Sequence, residues 1–215
     1  MGLMTTRHKT LAGLAILAVA ITRPAVAGGD FASTEYGKLN LTKDPSAAAP
    51  GLYSLDPKHT SVTVRLAHED LSHYTLRFDT VKGQFTFDPV HPASSPIQVV
   101  IDPNSVDTGN PAFNKTIAAQ YFEAAKYPSI TFTSTAITVT GDHGVIDGVL
   151  DFHGVKKPIK LNLTFNGYTN LDGQPRMGFS GEATFRRSDF GVGAWIPLEG
   201  DAVNILIESE FSKAK

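Results

Sequence analysis

The sequence predicts an all-β fold, an eight-stranded antiparallel barrel with a short helical insert, and three observations lead there. Apolar residues recur with a period of two along most of the chain, turn-forming clusters punctuate the runs, and one Ala-rich segment, 111–125, breaks the alternation with helical spacing. The chain has 215 residues, 41% of them hydrophobic, enough for one or two globular units. It has no cysteine, which excludes a disulfide scaffold, a thiolate metal site and a cysteine nucleophile. With 19 basic against 21 acidic residues it lacks the basic excess of a general nucleic-acid binder.

In chain order, Arg7, His8 and Lys9 precede the apolar run 11–21 and the small triplet Ala25-Val26-Ala27. This is the pattern of a secretory signal over residues 1–27, cleaved after Ala27. The run is shorter than the roughly 20 residues that span a bilayer, so stable membrane insertion is not expected. Cleavage leaves 188 residues and removes Arg7, Lys9 and Arg23 but no acid, which takes the formal charge from −2 to −5. The expected location is the periplasm or the exterior. Residues 28–50 sustain no hydrophobic period and end on Ser46-Ala47-Ala48-Ala49-Pro50, reading as a flexible leader before a domain over 51–215.

Within that domain, Val62, Val64 and Leu66 alternate with Ser61, Thr63 and Arg65, one face apolar and one polar. The pattern recurs at Phe85 and Phe87; Ile97, Val99 and Ile101; Ile130 and Phe132; Ile137 and Val139; Ile159, Leu161, Leu163 and Phe165; Phe179, Ala183 and Phe185; and Val203, Ile205 and Ile207. Turns fall at Asp88-Pro89, Asp102-Pro103-Asn104, Gly141-Asp142-His143-Gly144, Asn170-Leu171-Asp172-Gly173 and Leu198-Glu199-Gly200-Asp201. The segment 111–125 carries Phe113, Ile117, Tyr121 and Ala124 at helical spacing, and Tyr127-Pro128 stops it. Such a helix covers an open barrel end. About eight strands suit either a two-sheet sandwich or an eight-stranded barrel. Long strands and short turns favour the barrel, whose closure also removes exposed edges.

Successive blocks of this domain, Tyr53 to Ser61, His68, Gly83 to Asp88, Ser105 to Gly109, Phe122-Glu123, Tyr127 to Phe132, Gly148 to Pro158 and Phe185 to Gly193, resemble in order those of the YceI-like family. The resemblance covers residues 52–211 and implies a periplasmic or secreted, lipocalin-like barrel enclosing a long-chain polyisoprenoid or similar lipid. One stretch departs from it. After Asp107-Thr108-Gly109 the family usually has an Arg-Asp-x-His-Leu run, whereas this chain has Asn110-Pro111-Ala112-Phe113-Asn114-Lys115-Thr116-Ile117, leaving Lys115 as the nearby cation.

An interior lined by Phe85, Phe87, Val99, Phe132, Phe152, Leu161, Leu163, Phe179 and Phe185 would be strongly apolar. An acyl or isoprenoid chain buried there gains about 0.8 kcal/mol per CH₂, against about 4–15 kcal/mol for lost freedom on association. Alternating strands more commonly fill their barrel with side chains, and the resemblance is what favours a ligand. His68 and His153 end strand patterns and fall in family blocks, so they are expected at the barrel mouth as head-group donors or structural hydrogen-bond partners. His73, His91 and His143 read as solvated turn residues, and His68 and His73, five apart, do not make the H-E-x-x-H zinc motif. Arg187 and Asp189, two apart, would share a face of an extended segment and could pair. Trp195, the sole tryptophan, would cap the cavity or anchor a loop.

The expected function is therefore a non-enzymatic, exported carrier of an isoprenoid or other long-chain lipid for transport, storage or envelope stress response. It has no catalytic residues, metal, cofactor or nucleic-acid partner, and a homodimer is allowed. The alternatives are a His-dependent or metal-dependent enzyme acting on a small hydrophobic substrate through His68 or His153, and an interaction module for envelope proteins.

Overall fold

The computed structural model describes residues 39–214, so the expected signal segment 1–27 and the leader as far as residue 38 lie outside the described residues. The strands are β1 Gly51–His68, β2 Ser72–Phe78, β3 Val81–Phe87, β4 Ile97–Ile101, β5 Val106–Asp107, β6 Ile130–Thr140, β7 His143–Phe152, β8 Val155–Leu171, β9 Gln174–Arg186 and β10 Ala202–Lys213. They form one antiparallel sheet, and β10 pairs back onto β1, so the sheet closes. Closure decides against the sandwich.

Ten named strands make eight staves. β1 pairs along one edge with β10 and along the other first with β3, Tyr53 opposite Phe85, and then with β2, Val62 opposite Phe78. β2 and β3 are thus one stave interrupted at Asp79-Thr80, and β5 and β4, which pair with them, are the next, interrupted at 102–105. The interruption keeps its backbone bonds: Asp79 donates to the Ser105 carbonyl at 3.0 Å and Asp102 to the Thr80 carbonyl at 3.1 Å.

Three bulges shift the register, between Leu55 and Thr60, Ser134 and Ala136, and Phe165 and Gly167. Each lets one strand keep its apolar residues inward on both sides of the insertion, three residues long in β1 and one in each of the others. At Gly167, φ is +150°, and an added Cβ would stand 2.8 Å from Leu41 Cδ1, so only glycine lets the segment before β1 approach there. That segment, 39–50, departs from the expected flexible leader. Thr42 exchanges two backbone bonds with Tyr168, 2.9 and 2.8 Å, and Asp44 caps the short 3₁₀ turn Pro45–Ala47. Ala48 is 2% exposed. The reason is local: the bulged strand end offers unpaired backbone, and Ala48 is small enough to fit against the aromatic end of the barrel.

The helical insert is shorter than expected. α1 spans Pro111–Thr116 and continues as a π-helical turn, Ile117–Tyr121. Asn110 caps it by accepting from the Ala112 and Phe113 N–H groups at 3.1 and 3.3 Å. Asn114 Oδ1 accepts from the Thr108 N–H and hydroxyl, and its amide donates to Asp107. The segment that departs from the family run is thus tied down by neutral amides.

β7 shows how tightly the wall is built. Gly148 faces inward beside the ring of Phe132, and a Cβ there would overlap that ring and stand 2.8 Å from the Thr133 carbonyl oxygen. Since backbone cannot yield, Gly148→Ala is expected to lower stability by about 1–3 kcal/mol in urea denaturation. A variant as stable as the parent would mean that the Phe132 ring does not rest there.

Candidate functional site

The inward faces of the staves enclose two chambers, of about 330 Å³ toward the helical end and about 170 Å³ toward the other. Val62, Val99, Leu161 and Ile207 line both, forming a waist between them. Of the residues expected to line a cavity, Phe132, Phe152, Phe185 and His68 line the larger chamber. Phe85, Phe87, Leu163 and Phe179 line the smaller, and Val99 and Leu161 stand at the waist.

Aromatic side chains make much of each wall. In the smaller chamber Phe85, Phe179 and Phe211 meet edge to face, with centroids 6.1, 5.0 and 5.9 Å apart. In the larger, Phe122 packs on Phe78 and Phe152, each at 5.7 Å, and Tyr74 meets Phe113 at 5.8 Å. Phe113, Ile117 and Tyr121 bring the helical insert into this wall. The 3.6-residue spacing that predicts the helix also marks these three as one face, so the signal for their role was present in the sequence.

The few polar groups of the larger chamber gather at its helical end. His68 Nε2 lies 3.3 Å from Glu199 Oε1, their side chains 39% and 27% exposed, and Phe113 is also part-exposed. Residues that both line a chamber and reach solvent mark its mouth, between the β1–β2 turn, the start of α1 and the 193–201 loop. That loop is held to β1 by Glu69 N–H donating to the Leu198 carbonyl at 2.7 Å and Gly200 N–H to the Ala67 carbonyl at 2.8 Å.

Arg187 also lines this chamber although it is only 6% exposed. It does not pair with Asp189, because the chain turns into the 3₁₀ segment Arg187–Phe190 instead of staying extended. Its guanidinium donates to the carbonyls of Gly200, Val192 and Glu199 at 2.9, 2.8 and 2.8 Å. Burial pulls its pKa below the usual value, and the carboxylates of Asp201 and Glu199 partly offset this. Asp201, held below the ordinary carboxylate range chiefly by the Ser188 N–H, also accepts from the Ser188 hydroxyl and Arg186.

Two expected residues lie elsewhere. His153, at positive φ in the β7–β8 turn, pairs with Glu123 at 2.6 Å and packs on Tyr127 at 4.5 Å between ring centroids, outside both chambers. A turn residue projects off the strand end, so alternation along β7 does not carry to it. Trp195 is 64% exposed on the 193–201 loop and lines neither chamber. His73, His91 and His143 are exposed, but of the three only His91 lies in a connecting segment: His73 is within β2, and His143 opens β7 and also lines the smaller chamber.

The arrangement is a closed barrel with an apolar hollow and a polar mouth. Asp56, His59 and Glu210 come together on the outside at the β1 bulge, away from the chambers. The YceI-like domain pattern matches residues 53–211. A UPF0312 protein of Pseudomonas paraeruginosa is 30% identical over 182 residues, which cover 84% of this chain and 95% of that one. The crystal structure of Burkholderia cenocepacia BcnA superposes with a TM-score of 0.66 at 25% identity, covering 73% of this chain and 98% of that one. A structure described as a polyisoprenoid binding domain from Saccharophagus degradans, implicated in plant cell wall breakdown, shares the fold, with a TM-score of 0.59 at 21% identity over 75% of this chain and 98% of that one. With barrel, helical insert and sequence pattern in agreement over nearly the whole described domain, the chain belongs to the YceI-like domain family.

Proposed function

We propose that this protein is an exported, non-enzymatic carrier that holds a long-chain polyisoprenoid or similar apolar lipid inside the barrel, for transport, storage or envelope stress response. The observation that carries the reading is the hollow itself: two apolar chambers inside a closed barrel, where side chains could have filled the space. At about 0.8 kcal/mol per buried CH₂, a chain of a dozen or more carbons is held against the entropy of association. The polyisoprenoid-binding description of the Saccharophagus degradans fold neighbour agrees with a lipid of this class. Export to the periplasm or beyond rests on the basic, apolar and small-residue pattern of residues 1–27. Catalysis is not part of the reading, since His153 is engaged with Glu123 outside the chambers and His68 pairs with Glu199 at the mouth.

The test is organic extraction and native mass spectrometry of protein purified from its own host without detergent. One class of apolar lipid, near one molecule per barrel, is the expected result. Consistently ligand-free protein that also fails to take up prenols in vitro would overturn the reading.

A further inference from the structure

The two chambers do not have to act as one. Four side chains, Val62, Val99, Leu161 and Ile207, close in between them, and a ligand held in the larger chamber alone would leave the smaller as a packing void. Two glycines lie under side chains of this constriction, although neither lines a chamber itself. A Cβ on Gly181 would lie 2.9 Å from Leu163 Cδ2 and 3.4 Å from both Ile207 Cβ and Leu161 Cδ1. One on Gly83 would lie 3.3 Å from Val99 Cγ2.

Neither position needs glycine for its backbone. Gly181 pairs in register with Ile207 on one side and Leu163 on the other, Gly83 pairs in register with Val99, and the bulges lie elsewhere. Neither glycine has a positive φ. Glycine inside a regular strand forgoes side-chain packing, and it is retained where a bulge, a bend or the close approach of another group requires it. With regular pairing at both positions, close approach remains.

We propose that the smaller chamber is a second subsite for the same ligand, that Gly83 and Gly181 keep the waist passable, and that the ligand is accordingly a single unbranched-backbone chain too long for the larger chamber alone. This rests on the carrier reading above. The chain then runs from the mouth at His68 and Glu199 to Phe85, Phe179 and Phe211, beyond which the smaller chamber also reaches solvent at Val139 and His143.

The test measures affinity for all-trans prenols of increasing length, from geraniol through farnesol and geranylgeraniol to octaprenol, for the full chain and for Gly181→Val and Gly83→Val. In the parent each added isoprene unit should tighten binding by about tenfold or more until both chambers are filled. In each variant binding should level off at least one unit earlier, while the shortest prenols bind within about twofold of the parent. Adding Leu161→Ala to Gly181→Val should reopen the waist and restore the length dependence, which a merely misfolded variant would not do. Unchanged length dependence in both variants, or a parent whose affinity levels off where the variants do, overturns the second subsite and leaves the carrier reading intact. A parent that binds none of the prenols overturns the carrier reading itself.

Discussion

Replacing Arg187 by Met should lower the unfolding free energy by about 3–5 kcal/mol, the size expected when three backbone carbonyls lose charge-assisted donors at once. The side chain is 6% exposed, and its three hydrogen bonds all go to backbone carbonyls of 192–200. Met preserves the apolar stem, so packing is largely retained, but those carbonyls lose charge-assisted donors that water replaces poorly. Arg187→Lys should fall between, since an ammonium keeps the charge but cannot span three acceptors as a planar fork does. Urea denaturation gives the energies, and limited proteolysis reports where the damage lies. Cleavage should appear first within 193–201, the loop that walls the mouth. A loss below about 1 kcal/mol for the Met variant would mean that the loop holds itself without the guanidinium.

That role was legible in part. Ala183 and Phe185 face inward, and carrying the same alternation two residues further puts Arg187 inward and Arg186 outward, where it meets Asp201. What alternation could not supply was the turn at Arg187–Phe190, which brings the carbonyls of the following loop round the guanidinium. The bulges follow the same logic. Ile130 and Phe132 occupy even positions and Ile137 and Val139 odd ones, so a single strand can point all four inward only with one extra residue between them, and the register shifts between Ser134 and Ala136. Leu55 and Val62 show the same change of parity across the β1 bulge.

The apolar lining was legible because it depends only on period two, which is why the aromatic positions fall in the chambers. The hollow was not, since the same residues with a slightly different tilt of the staves would have met in the middle. Nor was the waist, because Gly83 and Gly181 look in the sequence like weak points of strands. His153 and Trp195 lie in a turn and a loop, where no period governs direction. The docking of 39–50 escaped for another reason: its anchors are backbone bonds to a bulge in β8, more than a hundred residues away in the chain, with only Ala48 as a buried apolar contact.

The opposite end of the barrel depends on Tyr53, and Tyr53→Ala is expected to lose about 3–5 kcal/mol, the usual result of truncating a fully buried aromatic side chain. The ring is 0% exposed, lies nearly parallel to Phe85 at 5.7 Å and meets Phe87 edge-on at 6.4 Å. Its hydroxyl donates to the Ala49 carbonyl at 2.8 Å, joining the barrel to the segment that covers its end. Tyr53→Phe keeps the ring and removes that bond alone, so near neutral pH it should lose only about 1 kcal/mol. Alkaline pH separates the two contributions. Burial, reinforced by the neighbouring Tyr168, pushes the Tyr53 pKa from 10.0 up to about 12. The folded protein then holds this proton more tightly than the unfolded chain, so the stabilisation is complete below pH 10 and is lost as pH rises through about 12. Between about pH 9 and pH 12 the parent should lose about 2 kcal/mol more than Tyr53→Phe, whatever other groups contribute to both. Parallel loss in the two proteins would mean that the phenol ionises freely, with its hydroxyl in water and the 39–50 segment lifted from the barrel end.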